Sequence, residues 1–223
     1  MSTKIGVITE GSIDYALLPP LLSRIAEEKV GFHWPLDVDD VAELFPIRKR
    51  GHGGVLHALR ALVRALDTQY YDHACYVILL DRRTRRIQQR VRRLISGRDR
   101  FVLGIAIEEV EAWWLGDRTN TLAWSGFDAL LLPECRYATR NYQAERDENP
   151  KRTLDELTRL SDRFDRSYGE GNLDLATEFA EEYWRAYARL DEIAHQCPQG
   201  FGTFQQEVAG QFRRARRRAG RLF

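Results

Sequence analysis

The sequence predicts an α/β protein in which a parallel sheet is flanked by helices and followed by a helical C-terminal appendage. Short runs rich in Ile, Val and Leu alternate with segments of helical apolar spacing as far as about residue 117. This alternation is typical of βαβ units. From about residue 133 the spacing is helical. We therefore expect an α/β domain over residues 1–132 and a mainly helical region over residues 133–223 packed on it.

Composition places the chain among ordinary globular proteins. Its 223 residues are 43% hydrophobic and 30% charged, which argues against intrinsic disorder. No apolar run approaches membrane-spanning length, and the start MSTKIGVITEG lacks a charged leader before a long apolar segment. The cysteines Cys75, Cys135 and Cys197 are odd in number and widely spaced, which argues against a disulfide framework. We expect a cytoplasmic protein with no membrane contact.

Four strands are predicted, at Lys4–Thr9, Val41–Ile47, Ala74–Leu80 and Phe101–Ile107. The first alternates little and is rich in Ile and Val, as in a strand buried on both faces. The third, ACYVILL, is the clearest strand signal in the chain and ends directly on Asp81. Strands of this kind, separated by helices, favour parallel pairing.

Helical spacing fills the intervals between these strands. The predicted helices are Ile13–Lys29, Val55–Leu66, Thr84–Ile95 and Glu108–Leu115. Pro19 and Pro20 are expected to reset the start of the first one, because proline lacks the amide hydrogen that a helix interior needs. After the irregular stretch 133–150, helical periods cover 150–164, 173–196 and 202–220.

Carboxylates fall where the strands end. Glu10 follows the first strand, Asp81 the third, and Glu108, Glu109 and Glu111 the fourth. Because the carboxyl ends of parallel strands share one edge of a sheet, these acids are expected to converge there. Acids so placed raise one another's pKa unless a cation offsets their charge, and Mg²⁺ or Mn²⁺ prefers oxygen ligands. The alternative is that the acids cap the next helices, which would account for Asp14 and Glu108.

Arginine is concentrated in two segments. It recurs through Arg82–Arg100, where Asp99 is the only acid, and again in the tail RRARRRAGRLF. Because arginine binds phosphate in a bidentate fork, these segments suggest a nucleic-acid partner. The alternatives are a GC-rich genome that favours Arg over Lys and a solvated helix face. The candidate nucleic-acid contacts are Arg82, Arg83, Arg85, Arg86, Arg90 and Arg93.

Two further features each have two interpretations. The tryptophans Trp113, Trp114 and Trp124 could stack on bases, but aromatic residues beside an apolar helix more often form a core. The loop 48–54, RKRGHGG, could place backbone amides around a phosphate or could be a flexible connection. It lacks the Gly-Lys-Ser/Thr of a P-loop, so no ATP motor is predicted.

Several motifs together resemble a known family. The first strand followed by EGSID, and the later VILLD, resemble the Toprim domain of topoisomerases, primases and overcoming-lysogenization-defect nucleases. More narrowly, RGHGGVLHALRALVRAL, GIAIEEVEAWWLGD, NPKRTLDEL and CPQGFGTFQQEV resemble a bacterial Toprim-like family of unknown function. Members of that family are often encoded beside ATPases in anti-phage defence loci. The resemblance covers nearly the whole chain.

The resemblance implies roles for individual acids. Glu10 matches the acid that Toprim enzymes share, a metal ligand or general acid/base, and Asp14 matches the aspartate of the same loop. Asp81 matches the first aspartate of the Asp-x-Asp motif. The paired acids before the tryptophan match Glu109 and Glu111. The second aspartate of Asp-x-Asp would fall at position 83, which is Arg83. Either the paired glutamates complete the site, or one metal is weakly bound, or catalysis has been lost.

The first functional hypothesis is a Mg²⁺-dependent Toprim-type nuclease that cuts DNA or RNA, the effector of an anti-phage system with an ATPase partner. In it Glu10, Asp81 and Glu111 are catalytic and hold the metal, and Asp14 and Glu109 support them. The arginines of 82–93 hold the nucleic-acid backbone. The alternative is a catalytically impaired Toprim-fold subunit that binds nucleic acid or an ATPase without cutting. A third hypothesis is an adaptor whose helical tail mediates homo-oligomer formation.

Overall fold

The structure, a computed structural model, describes residues 2–33, 35–45, 51–68, 72–81, 85–107, 109–127, 136–139, 141–169 and 173–219. The centre is a four-stranded parallel sheet with the strand order β2-β1-β3-β4. The strands are β1 Thr3–Ile8, β2 Leu36–Asp40, β3 Cys75–Asp81 and β4 Phe101–Ala106. The predicted α/β class with a parallel sheet and C-terminal helices is confirmed.

Helices occupy most of the remaining described chain. In the α/β part these are α1 Ser12–Val30, α2 Val41–Leu44, α3 His52–Thr68, α4 Arg85–Ile95, α5 Glu111–Trp114 and α6 Arg118–Trp124. After them come two 3₁₀ turns, Arg136–Ala138 and Ala144–Arg146, and then α7 Pro150–Arg159, α8 Leu173–Glu178, α9 Leu190–Gln196 and α10 Thr203–Ala219. Two π-helical segments, Phe179–Tyr187 and Pro198–Gly202, lie between the last three helices. The predicted domain boundary at 132/133 lies outside the described residues.

The predicted second strand is wrong. The chain forms β2 at Leu36–Asp40, and Val41–Leu44 is a short helix whose first turn is capped by Asp40, where Oδ1 accepts the Ala42 N–H at 2.8 Å. As an edge strand β2 pairs with β1 alone, so it needs apolar residues only where it contacts the core. Its sequence LDVDD therefore carried too weak a hydrophobic signal.

The expected break of the first helix at its prolines is also wrong. Helix α1 runs without interruption through Pro19 and Pro20. Proline inside a helix costs about 3 kcal/mol, but four leucines around the two prolines are completely buried in the core, and this burial offsets the cost. They are Leu17, Leu18, Leu21 and Leu22.

One side of the sheet, which we call the aromatic face, is covered by α1 and by the helices that follow β4. Trp114 stacks on Phe179 with a centroid distance of 4.7 Å, and Trp113 stacks on Phe204 at 5.2 Å. A Cβ atom at Gly104 of β4 would come within 2.5 Å of the Phe204 ring, so only glycine lets α10 approach this closely. Trp113, Trp114 and Trp124 are at most 2% exposed. They are core residues and have no free ring face for bases.

The opposite side of the sheet, which we call the basic face, is covered by α3 and α4. Its core is mainly aliphatic: Val55, Leu59, Leu62 and Val91 pack with Ile78 and other strand residues, and Tyr76 is the one aromatic residue among its fully buried described members. The remaining sides of both helices carry exposed arginines. None of the helices in the described ranges is long and apolar enough to cross a membrane.

Candidate functional site

Glu10 and Asp81 lie together where the strand order reverses. β2 lies on one side of β1 and β3 on the other, so the crevice beyond the ends of β1 and β3 is the switch point at which open α/β sheets bind ligands. The Asp81 N–H donates to Glu10 Oε1 at 3.2 Å. The backbone oxygen of Glu10 accepts the Gly51 N–H at 2.9 Å. Glu10 is thus tied to β3 and to the start of α3.

Glu111 reaches the same edge from the end of β4. It begins α5 and is 1% exposed. The hydroxyl of Tyr168 donates to its Oε1 at 2.7 Å, while its Oε2 is buried with no hydrogen bond to any described residue. Glu109, two residues earlier, is 9% exposed. The predicted helix Glu108–Leu115 is shorter than expected, and residue 108 lies outside the described residues.

Asp14 caps a helix, which is one of the two roles that the sequence left open. Its Oδ2 accepts the Gly11 N–H at 3.0 Å, so the side chain caps the first turn of α1. Burial raises the pKa of Asp14 to about 7, and the negative charges of Glu111 and Glu10 add to the shift. The capping carboxylate therefore also belongs to the electrostatic cluster at the sheet edge.

Asp81 is affected both by burial and by its acidic neighbours. Burial raises its pKa to about 8, and the charges of Asp14, Glu10, Glu111 and Glu109 all act in the same direction. Burial likewise raises the pKa of Glu111, although Lys151 and the hydroxyl of Tyr168 oppose that shift. Carboxylates that share a poorly solvated crevice destabilise one another's charged forms. The five predicted acids thus form one electrostatic cluster, which we call the acid edge.

Lys151 was not among the predicted site residues. It lies in the first turn of α7, and its Nζ is 3.9 Å from Oε1 of Glu109 and 3.9 Å from Oε1 of Glu111. Burial lowers its pKa, but Glu111 and Glu109 outweigh that effect and the net shift is upward. A sequence signal did exist: the chain otherwise prefers arginine, and lysine occurs only at positions 4, 29, 49 and 151.

Tyr168 was also missed, and no local signal could have found it. It lies in the irregular segment after α7, is 1% exposed, and reaches Glu111 from 57 positions away in the chain. Burial raises its pKa far above the usual range, and Glu111 adds to that shift. It therefore remains a hydrogen-bond donor that holds one oxygen of Glu111 in place.

The donor atoms at the acid edge suit a hard cation, because they are carboxylate oxygens. The buried Oε2 of Glu111 is such an atom without a hydrogen-bond partner in the described chain. Within the described ranges, however, no group of three or more His, Cys, Asp or Glu side chains is placed so that it could hold a metal ion. The acids share a crevice without forming a closed set of ligands.

Four of the predicted arginines are exposed on the basic face. They are on α4, and their side chains form no ion pair or hydrogen bond with another described residue: Arg85, Arg86, Arg90 and Arg93. Gln88 Nε2 donates to the backbone oxygen of Asp81 at 3.1 Å, which fixes the first turn of α4 beside the acid edge.

Two of the predicted arginines fall outside the described part of the chain, and two exposed arginines of this surface were not predicted. Arg82 and Arg83 lie outside the described residues. Arg60 and Arg64 were not predicted; they are exposed at i, i+4 spacing on α3, which packs beside α4. This helical spacing on the polar side of α3 was the available signal.

The arginines of the C-terminal tail are used differently. Arg213 donates to the backbone oxygen of Lys29 at 2.8 Å, and Arg216 to that of Val30 at 3.2 Å. These are carbonyls at the C-terminus of α1, where positive charge is favourable. Arg218 pairs with Asp99 at 2.8 Å. The tail therefore anchors α10 to the rest of the fold.

Comparisons of the chain with protein-family models, with curated proteins and with solved structures gave no match. The functional interpretation therefore depends on the acid edge, the basic face and the motifs of the sequence.

Proposed function

We propose that this protein is a Mg²⁺-dependent Toprim-type nuclease that hydrolyses phosphodiesters of DNA or RNA. The observation that supports this proposal is the convergence of Glu10, Asp81 and Glu111 at the switch point of the sheet, where the Asp81 N–H donates to Glu10 and the charges of Glu10 and Glu111 both raise the pKa of Asp81. A role as the effector of an anti-phage defence system with an ATPase partner is supported only by the resemblance of the sequence motifs.

Each group at the acid edge would have a distinct task. Glu10, Asp81 and Glu111 would hold Mg²⁺ or Mn²⁺, with Asp14 and Glu109 in support. Such an ion, when bound, supplies a more acidic water and offsets negative charge on the phosphate. Because the described acids form no closed ligand set, the proposal requires them to draw together on binding. Removal of their mutual repulsion would favour that movement.

Basic side chains of the protein would offset the remaining negative charge of the acids and phosphates. Lys151 places an ammonium group beside Glu109 and Glu111, where it favours the ionised form of Glu111 and would offset charge on a bound phosphate. The exposed arginines of α4 begin four residues after Asp81. They would hold the phosphates that flank the cleaved bond, as bidentate donors do.

The direct test is cleavage by Glu10→Ala. Labelled single- and double-stranded DNA and RNA are incubated with the full chain and Mg²⁺ or Mn²⁺. We expect metal-dependent cleavage by the wild type and its loss in the variant, with an unchanged thermal unfolding midpoint. Glu181→Gln, which neutralises an exposed acid on the C-terminal helices, is the matched control and should cleave normally. Cleavage that persists in Glu10→Ala would overturn the assignment.

A second candidate is a catalytically impaired Toprim-fold subunit that binds nucleic acid or a partner ATPase without cutting. Two observations favour it: Arg83 in place of an acid, and the lack of a closed ligand group in the described chain. Calorimetric titration with Mn²⁺ separates the two candidates. If the wild type binds Mn²⁺ and Glu10→Gln does not, the nuclease is supported. If the acids make no difference to Mn²⁺ binding, the second candidate is supported.

A further inference from the structure

A cavity of about 420 Å³ lies beside Glu10, on the side of the acid edge away from α4. It is formed by the ends of β1 and β2, the first turn of α1, the short helix α2 and the start of α3. Its volume is within the range of about 300–1,000 Å³ that small-molecule sites occupy. Its lining includes Glu10, Tyr15, Asp40, Glu43 and Phe45.

The charged side chains among the described lining residues are carboxylates, which accept hydrogen bonds. The side chain of Asp40 uses Oδ1 to cap α2 and makes no other hydrogen bond with the described chain. Glu43 forms no hydrogen bond or ion pair with a described residue. Of the described residues that line the cavity, none is positively charged. Among the described residues, the carboxylates of Asp40 and Glu43 therefore favour a ligand that can donate hydrogen bonds over an anion.

The remaining wall is suited to a flat ring. Tyr15 donates its hydroxyl to the backbone oxygen of Val38 at 3.3 Å, so its ring is held in place. Phe45 supplies a second aromatic side chain, and the aliphatic side chains of Ile8 and Val55 complete the apolar part. Aromatic side chains that line a groove bind bases by stacking, and carboxylates bind sugar hydroxyls.

We propose that this cavity binds the nucleoside next to the cleaved phosphodiester. Its base packs against Tyr15 and Phe45, and its hydroxyl or amino groups donate to Asp40 and Glu43. This inference rests on the proposed function, because Glu10 belongs both to the cavity and to the acid edge. The nucleic acid would then run from the cavity, past Glu10 and Asp81, toward the arginines of α4.

The test is binding of free nucleosides to the full chain in the presence of a chelator. Adenosine, cytidine, their 2′-deoxy forms and inorganic phosphate are titrated separately by NMR or calorimetry. We expect the nucleosides to bind and phosphate to leave the resonances of the cavity unchanged. If ribonucleosides bind more tightly than their 2′-deoxy forms, the carboxylates of Asp40 and Glu43 accept from the 2′-hydroxyl. If the affinities are equal, they accept from the base or from the other sugar hydroxyls.

Point variants test whether the nucleoside binds in this cavity. Glu43→Gln should weaken nucleoside binding about tenfold, the order expected for a hydrogen bond to a charged acceptor. Tyr15→Leu should weaken it by a similar factor, because the aromatic ring no longer stacks on the base, while Tyr15→Phe, which keeps the ring, should retain it. Tyr187→Leu removes an exposed tyrosine elsewhere and is the matched control. If no nucleoside binds, or if Glu43→Gln and Tyr15→Leu bind normally, the inference is wrong.

The outcomes also separate this inference from the proposed function. Asp81 does not line the cavity, so Asp81→Asn should lose cleavage and keep its nucleoside affinity. Nucleoside binding without any metal-dependent cleavage would retain the cavity and reject the nuclease. Cleavage without nucleoside binding would reject the cavity and retain the nuclease.

Discussion

Several arginines on the two faces of the sheet are used in different ways. On the aromatic face Arg24 donates to the backbone oxygens of Trp184 and Ala188, at 2.6 and 2.9 Å. Arg189 on the same side binds the buried carboxylate of Asp117, with Nη2 2.8 Å from Oδ1. On the basic face the exposed arginines have no partner among the described residues. They are Arg60, Arg64, Arg85, Arg86, Arg90 and Arg93.

This difference shows what an arginine-rich sequence can and cannot indicate. A guanidinium stabilises the fold when the fold also positions a carbonyl or carboxylate for it, as at the C-terminus of α1. One that finds no such acceptor remains available to a polyanion. The two arginine segments looked alike in the sequence. Tertiary structure separates them, because the tail reaches its acceptors only after α10 packs on α1.

The largest expected effect is on the aromatic face. Trp114→Ala removes a ring that is 0% exposed and stacked on Phe179. We expect unfolding free energy to fall by roughly 3–5 kcal/mol, as for other buried aromatic residues replaced by alanine. Urea denaturation measures the change. Arg93→Ala on the basic face is the comparison and should stay within about 0.5 kcal/mol of the wild type. Equal losses in the two variants would contradict the distinction between the faces.

The second effect tests whether an arginine on the aromatic face is structural. Arg189→Met leaves the 0% exposed Asp117 without its charged partner, and a hydrogen bond to a charged group is worth about 1.5–3 kcal/mol. We expect a loss of that size in urea denaturation. Adding Asp117→Asn should recover part of it, because the buried charge is then absent. Arg90→Met, the matched change on α4, should leave stability unchanged.

The third effect concerns the acid edge, which lies between the two faces. Because the pKa of Asp81 is about 8 in the folded state, against an ordinary value of 3.8, the folded protein binds this proton more tightly than the unfolded chain does. Stability should therefore fall as pH rises from about 4 to about 8 in the absence of metal. Asp81→Asn removes this loss.

We expect Asp81→Asn to be more stable than the wild type at pH 8 by at least about 1.4 kcal/mol, the equivalent of one pKa unit. The gain should be much smaller at pH 5. Denaturant unfolding with a chelator present, at both pH values, measures it. A wild type that is equally stable at pH 5 and pH 8, or a variant destabilised at pH 8, would contradict the raised pKa of Asp81.

The smallest expected effect is on the basic face and appears in binding. Replacing Arg90 and Arg93 by glutamine should weaken nucleic-acid binding and reduce the slope of log K against log salt by about 0.9 for each phosphate of duplex DNA that the variant no longer neutralises. The tail supplies a control of equal charge. Arg213→Gln with Arg216→Gln should keep the salt slope and instead lower stability by about 1 kcal/mol for each hydrogen bond removed. Identical slopes in both double variants would contradict the assignment.

Much of the fold could be predicted from local pattern. Strands β1, β3 and β4 and helices α3 and α4 lie within a few residues of their predicted positions, because their apolar residues repeat with the period of the structure that they form. The prediction of β2 was wrong because an edge strand needs few apolar residues. The uninterrupted α1 could not be predicted, since the burial of its leucines overrides a local preference of proline.

The candidate site divides in the same way. The acids at the strand ends were identified from sequence, because a parallel sheet brings all carboxyl ends to one edge. Three other properties depend on the tertiary structure: the electrostatic interaction among these acids, the capping role of Asp14 and the contribution of Tyr168. The lining of the cavity beside Glu10 also comes from five separate elements, and no single segment of sequence describes it.

By itself, then, the sequence determined the α/β class, the parallel sheet and the edge at which Glu10, Asp81 and Glu111 meet. Each of these follows from the period of apolar residues and from where an apolar run stops. Only the tertiary structure decided which arginines are anchored, where Lys151 and Tyr168 lie, and how strongly the acids affect one another. Those properties depend on distance and burial between residues far apart in the chain, which a one-dimensional pattern does not contain.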